Sequence, residues 1–284
     1  MSVPDDFGVF ILSHGRAGRV RTLDALERCG YTGKWWIVID DEDSQGELYR
    51  SEYGGHVLVF SKAEVAETFD EFETGGSRKT VVYARNACFA VAEEVGIKRF
   101  MELDDDYTQF MFRFVDGRKL AFAECSDLDE VINAYLEWLD CSGALSVAFA
   151  QGGDFVGGAN SKRIRDRVWR KAMNSFMCDT SRAFKFVGRV NEDVNTYCTL
   201  GSRGGLFLTS LDFMLCQETT QKSAGGMSGE YLDSGTYVKS FYSVMCCPSF
   251  VKVSVLNTTH PRIHHNVDWA HGVPKILSDR YRRA

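Results

Sequence analysis

The residues best suited to chemistry sit in Phe100-Met-Glu-Leu-Asp104-Asp105-Asp106, where an apolar run ends in three consecutive aspartates. Carboxylates this close repel, and a divalent cation with oxygen ligands would relieve the repulsion and could hold a diphosphate as well. A solvated acidic turn explains the same residues, and this run alone leaves the two readings even. Ser13-His14-Gly15-Arg16-Ala17-Gly18-Arg19 gathers two glycines and two arginines just ahead of a helical pattern. That combination suits an anion or a nucleotide, although it is neither GxGxxG nor a P-loop, and a tight turn with solvated arginines is the plainer account. In Asn191-Glu192-Asp193 a pair of acids opens a helical stretch. Acids favour a helix's positive end, so capping is the simpler role and general-base catalysis the sharper one. Three of the six histidines are His260, His264 and His265, and one imidazole could complete a carboxylate metal site. Neither HExxH nor cysteines at zinc spacing accompany them.

These residues need elements to position them. Val9–Leu12, Trp35–Ile39, Val57–Phe60 and Arg99–Leu103 are short apolar runs that read as strands. Between them, Val20, Leu23, Leu26 and Cys29 recur at helical spacing, and Val81–Val95 carries Ala84, Ala87, Val91 and Val95 on one side before Gly96. Ser61 followed by Glu64 fits a capping box. Strands alternating with helices at this pace predict βαβ units and a mostly parallel sheet, with the three aspartates at a strand's carboxyl end, where such sheets bind ligands.

The second half has a different rhythm. Strands are expected at Gln109–Phe114, Leu145–Ala150, Ala172–Met177, Phe184–Val187, Gly205–Leu215 and Phe250–Val255, several of them antiparallel. Helices are expected at Asp127–Leu139 behind a Ser126 cap, at Glu192–Leu200 and at Tyr231–Val244, with a mobile loop at Glu218–Gly229 and a His-rich tail. No linker divides the chain. The expectation is one α/β domain over residues 1–284, residues 1–107 forming a nucleotide-binding half and 108–284 an acceptor half.

Composition narrows the function classes. The chain has 284 residues, 44 % hydrophobic and 25 % charged, which excludes a disordered or collagen-like protein. Apolar runs such as Trp35–Ile39 and Ala144–Ala150 are too short to span a bilayer, and no signal peptide opens the sequence. Nine cysteines without a CxxC, several (Cys88, Cys141 and Cys178) in apolar runs, suit packed thiols in a reducing cytoplasm. A net charge of −6 argues against a generic nucleic-acid coat. Local basic clusters remain, at Arg280–Arg283 and above all between Lys162 and Lys171, where Arg163, Arg167, Trp169 and Lys171 combine cations with an aromatic ring.

Taken in order, SHGRAGR, WWIVIDDED, YARNA, LDDDY and VNEDVNTY form a set far more specific than any one of them. From about Phe7 to about Asp268 the chain resembles the GT-A-fold nucleotide-sugar glycosyltransferases. It is most similar to the phage-encoded enzymes associated with TET/JBP-type hydroxylases, implicated in adding sugars to 5-hydroxymethylpyrimidines, including 5-hydroxymethylcytosine, in DNA. The resemblance implies a Rossmann-like, mostly parallel central sheet flanked by helices, a nucleotide-sugar donor carried on UDP, and Mn2+ or Mg2+. It implies that Ser13, His14 and Arg16 line the nucleotide pocket with Arg19 near the diphosphate, and that Asp40 or Asp41 accepts from the nucleobase. Arg85 and Asn86 would orient the donor, and Asp104 would reach ribose or sugar hydroxyls. Asp106 would bind metal, with Asp104 or Asp105 sharing either duty because three acids leave the DxD register open. His264 or His265 would be a further metal ligand. Glu192 or Asp193 would act on the acceptor hydroxyl, Asp193 fitting an inverting displacement best. DNA, in the host cytoplasm, is the expected acceptor. The rivals are another glycan, protein or small-molecule acceptor, a nucleotidyltransferase, and a nucleotide- or sugar-binding module without turnover. The sequence does not name the oligomeric state.

Overall fold

The computed structural model describes residues 1–72, 78–117, 119–155, 158–160, 175–217, 238–256, 262–272, 276 and 278–281. Its centre is β1 (Phe7–Leu12), whose six residues are all buried. The alternation of a strand sends Phe7, Val9 and Ile11 to one face, against Leu26, Ile132 and Leu136. Phe10 goes to the other face, against Val82, Ala87 and Phe100. A strand buried on both faces needs helices on both sides. Here α1 (Arg21–Arg28) and α5 (Leu128–Ser142) cover one, and α4 (Val82–Glu94) with α6 (Glu192–Ser202) cover the other.

Among the described residues nine strands form one sheet in the order β3-β2-β1-β4-β8-β7-β9-β5-β6. These are β2 (Lys34–Asp40), β3 (Val57–Phe60), β4 (Arg99–Asp104), β5 (Tyr107–Asp116), β6 (Lys119–Glu124), β7 (Ser146–Ala150), β8 (Phe176–Asp179) and β9 (Phe207–Gln217). β3, β2, β1 and β4 are mutually parallel, the Rossmann-like half. β8 runs antiparallel to both β4 and β7, β7 and β9 pair in parallel, and β5 with β6 closes the edge antiparallel. The carboxyl ends of β1, β2, β4, β7 and β9 therefore share one side of the sheet. This is the mixed α/β, GT-A-like architecture expected from the motifs. β1 and β4, adjacent strands from separate βαβ steps, mark the switch point where such sheets bind ligands.

Local signals account for the helix ends. The N–H of Glu64 reaches the Ser61 hydroxyl at 3.4 Å to start α3 (Lys62–Ala66). Gly96 ends α4 at φ +73°, and the Ile97 N–H returns to the Ala92 carbonyl at 2.8 Å. Asp127, not Ser126, caps α5, accepting from the Glu130 N–H at 3.0 Å.

The expected strand at Phe184–Val187 is not one. Its N–H groups at Phe186 and Val187 go to the side chains of Asn86 and Thr196, which replaces a ladder with two side-chain anchors. The His-rich tail is a strand, β11 (Arg262–Val267), paired antiparallel with β10 (Val251–Leu256) in a separate two-stranded sheet. α2 (Gly46–Tyr53) has no apolar period and buries only Tyr49. β8 begins at Phe176, later than expected, and residues 172–174 lie outside the described residues. The expected loop at Glu218–Gly229 also lies outside them, and the helix expected from Tyr231 is described over 238–246. Cys88 and Cys178 are buried, whereas Cys141 is exposed because it falls on the outer side of α5. Among the described residues no helix is long and apolar enough to cross a membrane.

Candidate active site

The carboxyl ends of β1 and β4 are tied directly. The Ser13 hydroxyl donates to Asp105 Oδ2 at 2.6 Å and lies 2.7 Å from the Tyr49 hydroxyl. Arg16 Nη1 donates to Asp105 Oδ1 at 2.7 Å, and the Arg16 N–H to the Tyr49 hydroxyl at 2.9 Å. Both oxygens of Asp105 are thus engaged in a buried knot. Burial pushes the Asp105 carboxyl up, with Arg16 and Ser13 pulling against it. Thr22 shapes the acidic turn: its hydroxyl donates to the Asp104 carbonyl at 2.6 Å and accepts from the Tyr107 N–H at 3.1 Å. Arg16 Nε, by contrast, is buried with no hydrogen-bond partner. Leaving such a donor unsatisfied costs about 1–3 kcal/mol, so this atom favours an anion nearby.

At the end of β2, Asp40 is 6 % exposed and already occupied. Oδ2 lies 2.7 Å from His14 Nδ1, and Oδ1 lies 2.8 Å from the buried Lys62 ammonium. Burial would raise Asp40, but the bonds to His14 and Lys62 hold it below the usual carboxylate range. The Asp40 bond raises His14 in turn. Asp41 Oδ1 accepts from the Lys62 N–H at 2.9 Å, and Asp43 from the N–H groups of Gly15 and Gln45, both at 2.8 Å. The His14 side chain is 44 % exposed and covers the buried Asp40. Arg19 stands exposed in the short turn Ala17–Arg19.

Arg85 is the centre of the site and is 1 % exposed. Its Nε donates to Glu192 Oε1 at 3.1 Å, Nη2 to Asp104 Oδ1 at 3.1 Å and Nη1 to Glu102 Oε2 at 3.4 Å. The guanidinium also lies over the rings of Phe176 and Phe186, at 5.0 and 5.9 Å. Burial pushes Glu102 up to about 8 against the pull of Arg85. Burial raises Glu192 as well. The Asn86 amide is bonded twice to the backbone of Phe186, donating to its carbonyl at 2.9 Å and accepting from its N–H at 2.8 Å. Both polar ends of its side chain are thus spent on Phe186. Asp193, next to the tied Glu192, is partly exposed.

The family model for the TET-Associated Glycosyltransferases matches residues 7–226. The chain belongs to this family. It is therefore a nucleotide-sugar glycosyltransferase. Among solved structures, this TET-associated glycosyltransferase is similar to glucosyl-3-phosphoglycerate synthase from Mycobacterium tuberculosis in complex with Mg2+ and UDP, at 8 % identity and a TM-score of 0.45. That match covers 92 % of this chain and 87 % of the other. It is also similar to S. aureus TarS 1-349 in complex with UDP-GlcNAc, at 10 % identity and a TM-score of 0.40 over 78 % of this chain and 60 % of that one. No curated protein matches the chain by sequence.

For a divalent cation, the glycosyltransferase offers an incomplete set. Asp105 is bonded to Ser13 and Arg16, and Asp104 to Arg85 and, at 3.2 Å, to the Tyr107 hydroxyl. Asp106 differs: among the described residues no ion pair reaches it, and burial beside Asp104 and Asp105 pushes it up to about 6. A carboxylate crowded by two others fits a metal ligand. No group of three metal-ligating side chains is assembled among the described residues. His265 is buried and its Nδ1 lies 3.5 Å from Asn191 Nδ2, next to the Glu192-Asp193 pair; the His264 ring is 4.3 Å from it. The basic segment with Arg163, Arg167, Trp169 and Lys171 lies outside the described residues. Sequence reasoning missed Tyr49, Lys62, Glu102 and Thr22, which act through side-chain bonds to distant positions and carry no motif of their own.

Proposed function

We propose that this chain moves a sugar from a UDP-linked donor, with Mn2+ or Mg2+, to the hydroxyl of a 5-hydroxymethylpyrimidine in DNA. The observation that carries the reading is the Arg85 bridge, which brings Asp104, at the end of β4, beside Glu192, at the start of α6. The bridge supports a reading in which donor-side and acceptor-side acids lie together at the carboxyl end of β4. Membership of the TET-associated family supports this acceptor class. The UDP carrier and the metal follow from the motif resemblance.

Ser13, His14 and Arg16 line the nucleotide pocket, with Arg19 at its rim. Arg16 Nε, buried and without a hydrogen-bond partner among the described residues, would donate to a diphosphate oxygen. His14 meets the nucleobase in front of Asp40 and Asp41. Asp104 orients ribose or sugar hydroxyls, and Asp106 would hold the cation with His264 or His265. A bound cation supplies charge stabilisation as negative charge gathers on the departing diphosphate. Asp193 takes the proton of the acceptor hydroxyl as its oxygen bonds to the anomeric carbon. The bond from that carbon to the phosphate oxygen breaks, and its electron pair leaves with the diphosphate. A single displacement of this kind inverts the anomer. Arg163, Arg167, Trp169 and Lys171 would hold the DNA backbone and an exposed base.

The test mixes the protein with a panel of nucleotide sugars, Mn2+ and hydroxymethylated DNA, and reads nucleoside masses. A hexose or related adduct on the hydroxymethyl base supports the reading. Transfer to a glycan, protein or metabolite instead removes the DNA acceptor, and pyrophosphate release from a nucleoside triphosphate points to nucleotidyl transfer. Replacing His264 and His265 together should weaken Mn2+ and UDP binding in a calorimetric titration; unchanged affinities return them to a structural role.

A further inference from the structure

We infer that Arg85 is a positioning residue that couples donor binding to the acceptor-side acids, without touching either substrate. This rests on the reading above, in which Asp104 faces the donor and the Glu192-Asp193 pair faces the acceptor. Three observations support it. The guanidinium spends its Nε, Nη1 and Nη2 on three different carboxylates, from β4 (Glu102 and Asp104) and α6 (Glu192). At 1 % exposure, against the edge-packed rings of Phe176 and Phe186, no solvent replaces a bond that lengthens. The next residue, Asn86, pins Phe186 through two bonds to its backbone, so one wall of the cage is itself fixed.

The coupling follows from planarity. A guanidinium is rigid, and moving toward one carboxylate moves it away from another. Asp104, at 27 % side-chain exposure, is the member of the trio open to a ligand. When Asp104 turns to the donor, Arg85 shifts its weight between Asp104 and Glu192, and the start of α6 with Asp193 follows. Donor binding and base placement thus share one free-energy term, which must act equally in both directions. Glu192, which makes no donor contact in this scheme, should therefore influence donor affinity.

The test is a double-mutant cycle on binding, with UDP and MnCl2 as the probe in a calorimetric titration. Four proteins are compared: wild type, E192Q, R85K and the E192Q/R85K double variant, with circular dichroism and melting as the check on folding. E192Q should weaken UDP binding about fivefold or more. In the R85K background it should add no more than about a twofold change, because the link is already broken. D193N, which keeps all three Arg85 bonds, should lower kcat and leave UDP affinity near wild type. Wild-type UDP affinity in E192Q overturns the coupling, as do E192Q and R85K effects that multiply. If R85K does not fold, the E192Q and D193N affinities decide alone. Coupled binding without sugar transfer to any acceptor would remove the acceptor reading and leave this inference standing. Transfer with uncoupled binding would do the reverse, and a wild type that binds no UDP withdraws both.

Discussion

The Ser13 hydroxyl donates to the Asp105 carboxylate across 2.6 Å, joining the end of β1 to the residue just past β4 inside a buried knot. Arg16 completes it from the same loop, so the middle aspartate of the acidic run holds the site together. Asp105→Ala should leave Arg16 and Ser13 without their acceptor and lower the unfolding free energy by about 3 kcal/mol. Urea denaturation measures this, and Asp105→Asn, which keeps one acceptor, should cost less. Stability within a few tenths of wild type in the alanine variant would show that the knot contributes nothing.

Asp106→Asn should behave in the opposite way. It removes an aspartate that no ion pair reaches among the described residues, so the fold should survive while metal-dependent transfer is largely lost. Activity assays at limiting Mn2+ decide, and full turnover there would remove Asp106 from the metal site. Asp104→Ala should raise the donor KM as well as lower kcat.

At the acceptor side, Asp193→Asn should reduce kcat by about 10²–10⁴-fold with the donor still bound. Glu192→Gln should cost kcat much less, because the Glu192 carboxylate is held by Arg85. Steady-state kinetics on both variants, with UDP affinity measured separately, distinguishes base from anchor. The reverse ranking would make Glu192 the base.

The His14–Asp40 pair predicts a pH window. His14 is raised above its ordinary 6.5, chiefly by the Asp40 bond, with Asp43 adding to it and burial and Lys62 opposing. Its contribution to stability is complete below pH 6.5 and is lost as pH rises through the raised folded value. Asp40 is lowered from 3.8, so its contribution is complete above that and is lost as pH falls through the depressed value. Stability from this pair should therefore be greatest between these two ordinary values. The His14 ring resonance should titrate above 6.5 and move down in Asp40→Asn; a resonance unmoved by that substitution would separate the two residues.

Charge reversal at Arg163, Arg167 and Lys171 should weaken use of hydroxymethylated DNA and flatten its salt dependence, while donor hydrolysis is retained. DNA modification equal to wild type at moderate salt would make that segment an ordinary solvated surface.

Much of the parallel half was legible along the chain. Val57–Phe60 was placed at its observed bounds, and β1, β2, β4, α1 and α4 lay within about two residues, because apolar period and glycine stops act locally. The second half was harder to read. Phe184–Val187 has a strand's composition but gives its N–H groups to Asn86 and Thr196, and β11 forms from polar residues because β10 offers it an edge. Neither choice is encoded within the segment itself.

The sequence by itself determined the α/β class, the acidic run at a strand's carboxyl end and the ordered motifs by which the chain resembles the glycosyltransferases. Only the tertiary structure decided which of those acids are free. Asp104, Asp105 and Asp106 are neighbours of one type, yet Arg85 holds the first, Arg16 from 89 residues away holds the second, and the third has no ion-pair partner among the described residues. A carboxylate's chemistry is set by burial and by charges within a few ångströms, and chain folding alone brings those charges there.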